Sequence, residues 1–92
     1  MLYTFSKAYY DWHELQAILD NVNPEDCIVL WQDGVLQAVK YPEIFANLPV
    51  YLLANDVMAR GLCSHPAIKD YPKLSLKEFV EFTVRFFPQF AL

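Results

Sequence analysis

Cys27-Ile28-Val29-Leu30-Trp31 is an unbroken apolar run, and a strand made of it must be covered on both faces, as parallel strands inside α/β proteins are. The polar triplet Gln32-Asp33-Gly34 ends the run, after which Val35, Ala38 and Val39 take up a helical spacing. The segment from Cys27 to Val39 therefore predicts a central strand that turns directly into a helix. In open α/β sheets ligands and partners meet the carboxyl ends of the strands. Gln32-Asp33-Gly34 marks the edge on which function is to be sought first, with Gly34 expected to take a positive φ in the turn.

The flanking segments extend this pattern in both directions. Leu2 to Ser6 reads as a first strand, with Lys7 to Tyr10 as the loop after it. Asp11 and Glu14 have capping-box spacing, and Trp12, Leu15, Ile18, Leu19 and Val22 give the following helix one apolar face opposite His13, Glu14, Gln16 and Asp20. The second helix, from about Gly34 to Lys40, is expected to end or bend at Pro42, with another turn from Glu43 to Asn47. Val50 to Ala54 is a third strand. Asn55 or Asp56 can cap a short helix running to Arg60, closed by Gly61 in the left-handed conformation. Cys63 to Pro66 reads as loop. Lys69 to Leu74 is a weaker strand that Pro72 confines to the sheet edge. Ser75 and Glu78 form a second capping box, and the last helix is expected to pack through Leu76, Phe79, Val80, Thr83 and Phe87, leaving Phe82, Phe86 and Phe90 off that stripe.

Alternating strands and helices with short loops imply a single three-layer α/β/α domain over residues 1–92, with a mostly parallel sheet of about four strands and right-handed crossovers. A chain of 92 residues buries only about 60–65% of its unfolded surface. Its 55% hydrophobic and 16% aromatic content exceeds what so small a core needs, which predicts apolar surface held by other subunits, or self-association when the chain is isolated. Seven basic against eleven acidic residues, a net charge of −4, argue against direct nucleic-acid binding. The longest apolar runs fall short of a membrane span, and Met1 to Lys7 lacks the basic start and apolar core of a secretion signal. A cytoplasmic protein with reduced thiols is the expectation, because Cys27 and Cys63 form neither a disulfide framework nor, with His13 and His65, a metal-ligand pattern.

These residues resemble the DsrH/TusB family of small α/β sulfur-relay proteins. The likeness is carried by the Met1-Leu2 start, the acidic residue before an apolar strand ending in Gln32-Asp33-Gly34-Val35, and the helix with Ala38-Val39. It continues through Asn55-Asp56, Ala59-Arg60-Gly61-Leu62, Phe79-Val80, Thr83-Val84 and Gln89-Phe90-Ala91, while Leu92 stands where the family has an aromatic residue. The resemblance implies a DsrEFH-like, flavodoxin-like fold. It also implies a heterohexamer with TusC- and TusD-like subunits, two of each, that passes persulfide sulfur to a downstream carrier toward 2-thiolation of the wobble uridine of tRNA. In such a complex the sulfur-carrying cysteine belongs to the TusD-like subunit.

Two function classes follow. In the first the chain is a non-catalytic subunit without cofactor or metal, meeting its partners through Asp56, Arg60, Phe82, Phe86 and Phe90. In the second it is itself a persulfide carrier whose nucleophile is Cys63, close in sequence to His65. Cys27, inside the central strand, is expected to be a buried and inert thiol. A nucleotide-binding role of the flavodoxin sort would rest on fold analogy alone, since Asp33-Gly34 lacks a glycine-rich phosphate loop.

Overall fold

The computed structural model describes all residues from Met1 to Leu92. Three strands carry the sheet: β1 (Leu2–Phe5), β2 (Cys27–Leu30) and β3 (Val50–Leu53). Nearly all of their residues are buried on both faces, which is why they lack the apolar/polar alternation of a half-exposed strand. Two shorter strands, β4 (Lys73–Leu74) and β5 (Gln89–Ala91), form the edges. The order is β4-β3-β2-β1-β5 and every pairing is parallel, with Leu2 beside Cys27 and Gln89, and Ile28 beside Val50. The weak strand before Ser75 is thus at an edge, as Pro72 requires, and the sheet has a fifth strand beyond the four expected.

The helices are α1 (Trp12–Leu19), α2 (Leu36–Lys40), α3 (Pro42–Phe45), α4 (Ala54–Ala59), α5 (Pro66–Lys69) and α6 (Leu76–Arg85), with a 3-10 turn at Gln32–Val35. Their distribution follows from the handedness of crossovers. From β1 to β4 the chain steps across the sheet in one direction, so right-handed connections put α1 to α5 on one face. The return from β4 to β5 reverses direction and puts α6 on the other. Tyr3, Phe5, Ile28, Leu30, Val50 and Leu52 point into the first core, where Leu15, Leu19, Ala38, Phe45, Val57 and Ile68 cover them. Leu2, Cys27, Val29, Leu53 and Leu74 point into a smaller second core, closed by Phe79 with Phe82 and Phe86.

Local signals account for most helix ends. The Asp11 carboxylate accepts from the Glu14 N–H at 3.1 Å, and Ser75 and Glu78 satisfy each other's backbone N–H groups at 3.1 and 2.9 Å. α2 ends at Lys40, just before Pro42 as expected, and Pro42 then starts α3 at its first position, where the missing N–H is harmless. α5 lies in a stretch expected to be loop and strand; Pro66 opens it in the same way. The stripe expected for α6 is turned. Leu76, Val80 and Phe87 are exposed, whereas Phe82 and Phe86 face the core: Trp31 meets Phe79 at 5.4 Å, Tyr51 meets Phe82 at 5.2 Å, and Phe86 packs on Phe82 at 5.3 Å. No helix is long and apolar enough to cross a membrane.

Candidate functional site

The carboxyl edge of β2 and β3 is where the sequence signals meet. Trp31 is still extended, and Gln32 then turns the chain with a φ of +52°. The turn presents the Gln32 N–H to the Asp56 carboxylate, 2.7 Å away on α4. Gly34 is needed for a different reason from the one expected. Its φ is not positive; it lies so close to the end of β1 that a Cβ would sit 1.8 Å from the Phe5 carbonyl oxygen.

α4 follows β3 with no intervening loop, so Leu53, not Asn55 or Asp56, occupies the N-cap position. Asp56 falls in the first turn, where a carboxylate suits the helix dipole. At the other end Gly61, at φ +65°, donates to the Met58 carbonyl while Leu62 donates to Val57, both at 3.0 Å. This Schellman closure aims Arg60 back across the edge. The guanidinium reaches Asp33 at 2.6 Å through Nη2 and 3.2 Å through Nε, and touches Asp56 at 3.4 Å. The Asp56–Arg60 pair expected from i,i+4 spacing is therefore present but secondary to Asp33, 27 residues away in sequence. With the Asp33 side chain 60% exposed, the bridge adds at most about 1 kcal/mol to stability. It leaves an ordered, net acidic cluster of one guanidinium and two carboxylates at the strand ends.

The two thiols sit in opposite environments. Cys27 is 1% exposed, and burial pushes its thiol up to about 12 despite the nearby terminal ammonium. Cys63 is exposed, in the loop before α5. His65 is the N-cap of that helix, its Nδ1 accepting from the Ala67 N–H at 3.1 Å, so this nitrogen is spent on the backbone. His13 lies on the exposed face of α1. No three His, Cys, Asp or Glu side chains converge on one point.

Of the aromatic candidates, Phe82 and Phe86 are half-buried and show only their outer edges, while Phe90 is 42% exposed and stacks on Tyr3 at 5.4 Å. A cavity of about 470 Å³ opens at the opposite, amino-terminal edge, lined by Pro42, Leu48, Pro49, Tyr71 and Pro72, with Asp70 its one carboxylate. Gln37 escaped the sequence reading. Fully buried on α2, it donates to the Ala8 carbonyl at 2.6 Å and fixes the loop after β1 together with Tyr10, whose hydroxyl accepts from the Ser6 and Lys7 N–H groups and donates to the Leu92 carbonyl. No local signal distinguishes Gln37 from a solvated polar residue between Val35 and Ala38.

The profile of the DsrH family, described as DsrH like protein, matches residues 8–89. The chain belongs to the DsrH family. Relatives run its full length: a Protein TusB of Yersinia pestis (strain Pestoides F) is 40% identical over 97 residues, covering 99% of each chain. An uncharacterized protein of Haemophilus influenzae is 39% identical over 95 residues and covers all of both. The fold is similar to that of a Thermotoga maritima protein solved in solution by NMR, with a TM-score of 0.59 and 26% identity over 96% of this chain and all of that one. Residues that carry the DsrH likeness pair with one another at both edges of the sheet. The Met1 ammonium donates to the Asp26 carboxylate at 3.1 Å, and Gln32-Asp33 meets Asp56 and Arg60 as described.

Proposed function

We propose that this chain is a cytoplasmic, non-catalytic subunit of a sulfur-relay complex, acting as one 92-residue unit. It assembles with TusC- and TusD-like subunits, as a heterohexamer with two of each, and persulfide sulfur passes from a partner's cysteine to a downstream carrier toward 2-thiolation of the tRNA wobble uridine. Full-length likeness to a Protein TusB supports the setting. The observation that carries the non-catalytic part is His65. A carrier thiol needs a base or an electropositive neighbour to hold it as thiolate, and Nδ1 of His65, the base nearest Cys63 in sequence, is committed to capping α5. Cys27, buried and pushed up to about 12, is excluded from exchange by access and by ionisation.

Partner contact in this reading runs along the ordered carboxyl edge, through Asp56 and Arg60, and over Phe90 and the outer edges of Phe82 and Phe86. The rigid Asp33–Arg60–Asp56 cluster presents fixed charge at the strand ends, which selects a partner's orientation more than it adds affinity. The alternative, with Cys63 as persulfide carrier, draws on its exposure. Co-expression with TusC- and TusD-like chains, followed by mass measurement of the intact assembly, tests the subunit reading. A defined complex with two copies of each chain is expected; failure to co-purify with either would remove it.

A further inference from the structure

The cavity at the amino-terminal edge of the sheet, about 470 Å³ between α3, α5 and the starts of β3 and β4, has no part in the sulfur-relay reading. Its volume falls within the roughly 300–1,000 Å³ of small-molecule sites. What it can bind follows from what its walls can donate. Of the ten residues lining it, Pro42, Pro49 and Pro72 have no N–H at all. The N–H groups of Leu48, Val50 and Tyr71 are spent on the Phe45, Leu48 and Ile68 carbonyls, and that of Ala67 on His65 Nδ1. Walls so short of donors offer little to an anion, and the proline rings make them rigid and apolar.

The one charge in the lining is the Asp70 carboxylate, which is exposed and joins no ion pair within the chain. The ammonium of nearby Lys73 is spent on the Ile68 and Lys69 carbonyls, at 2.6 and 3.0 Å. Asp70 also closes α5 at its carboxyl end, where the helix carbonyls favour a cation over a second negative charge. Tyr71, next to it in the lining, is half-buried, and burial pushes its phenol up, so the hydroxyl stays neutral and its oxygen can accept an N–H.

We propose that this cavity binds a small organic cation, a primary ammonium carried on a compact apolar body. The ammonium meets Asp70 at the rim, and the body packs among the prolines and the Tyr71 ring. Three N–H donors on one nitrogen suit walls that mainly accept. A single lysine stem would leave much of the volume empty, which favours a free amine over a side chain of a partner protein. Because Asp70 is exposed, its attraction is screened by water and salt, so binding is weak and salt-dependent. The inference rests on the cavity alone and stands or falls separately from the sulfur-relay reading.

Titration with phenethylamine, followed through the backbone amide signals by NMR, tests it beside two probes of the same size and different charge, neutral phenethyl alcohol and anionic hydrocinnamate. The amine is expected to shift the Val50, Ala67 and Tyr71 signals at millimolar concentration and to bind several-fold more tightly than the alcohol, with hydrocinnamate weakest. The gap between amine and alcohol is expected to narrow as salt is raised. Lysine amide blocked at its α-amino group presents the same ammonium on a lysine stem and is expected to bind more weakly than the amine. Asp70→Asn keeps the shape and removes the charge; it is expected to weaken the amine to the level of the alcohol and to leave the alcohol unchanged. Should that variant not fold, the ranking of the probes on the wild type decides alone. Signals unmoved at the cavity, an amine no tighter than the alcohol, an affinity indifferent to a folded Asp70→Asn, or a cavity that takes the blocked lysine but not the free amine would each overturn the proposal.

Discussion

An alanine at Gly34 would carry its Cβ into the Phe5 carbonyl oxygen, a backbone atom with no room to move. Gly34→Ala is therefore expected to destabilise by roughly 2–3 kcal/mol or more, as overpacking does. Gly61→Ala has open space around its Cβ but a φ of +65°, and is expected to lose only about 1 kcal/mol. Urea midpoints for the two variants decide between contact and conformation; equal losses would contradict the assignment. The glycine itself was legible in the sequence, but its reason was not, because the clash is with a residue on another strand and the left-handed φ falls on Gln32. Asp26 gives a second residue-scale test. The Asn23 N–H, ahead of the Met1 ammonium, holds its carboxyl below the ordinary range even though burial pushes the other way. A depressed carboxyl contributes stability that is complete above the unfolded value of about 3.9 and is lost as pH falls through the folded value. Denaturant stability should therefore fall more steeply below about pH 4 in the wild type than in Asp26→Asn. Superimposable slopes would show that Asp26 is not the group responsible.

At the scale of elements, α6 separates what periodicity can and cannot say. The capping box at Ser75 and Glu78 fixed its start, since both partners lie within four residues. Its orientation was not legible, because Leu76, Val80 and Phe87 make as good a stripe on paper as Phe79, Phe82 and Phe86; only the position of Trp31 and Tyr51 on the sheet chooses between them. Phe79→Ala is expected to cost about 3–5 kcal/mol and Val80→Ala less than about 0.5, measured by thermal or urea unfolding. Comparable losses would put the helix the other way round. The candidate site shows the same division. The Asp56–Arg60 pair could be read from i,i+4 spacing, whereas the shorter Asp33–Arg60 bridge depends on β2 and β3 being neighbours. Arg60→Ala, which loses a half-exposed network, is expected to shift stability by about 1 kcal/mol or less while weakening partner binding. Calorimetry of the variant with its partner chains would contradict the docking role if affinity were unchanged.

For the whole molecule, the parallel sheet was legible because three strands built almost wholly of apolar residues need cover on both faces. Strand order was not, since each pairing joins residues far apart in sequence. β5 was missed because Gln89-Phe90-Ala91 is short, exposed and preceded by Pro88; it becomes a strand through ladder contacts that begin with the Leu2 N–H donating to the Pro88 carbonyl. That order, with five helices on one face and α6 alone on the other, leaves this small chain with exposed apolar surface and an ordered polar edge. Its two thiols are one buried and one exposed. In the proposed function sulfur travels on a partner and docking falls to this chain. The direct test is to reconstitute Cys63→Ser with wild-type TusC- and TusD-like subunits and measure transfer of labelled sulfur to the downstream carrier at matched amounts of assembled complex. Transfer at the wild-type rate is the predicted result; loss of transfer from an intact complex would contradict the account and make Cys63 the carrier.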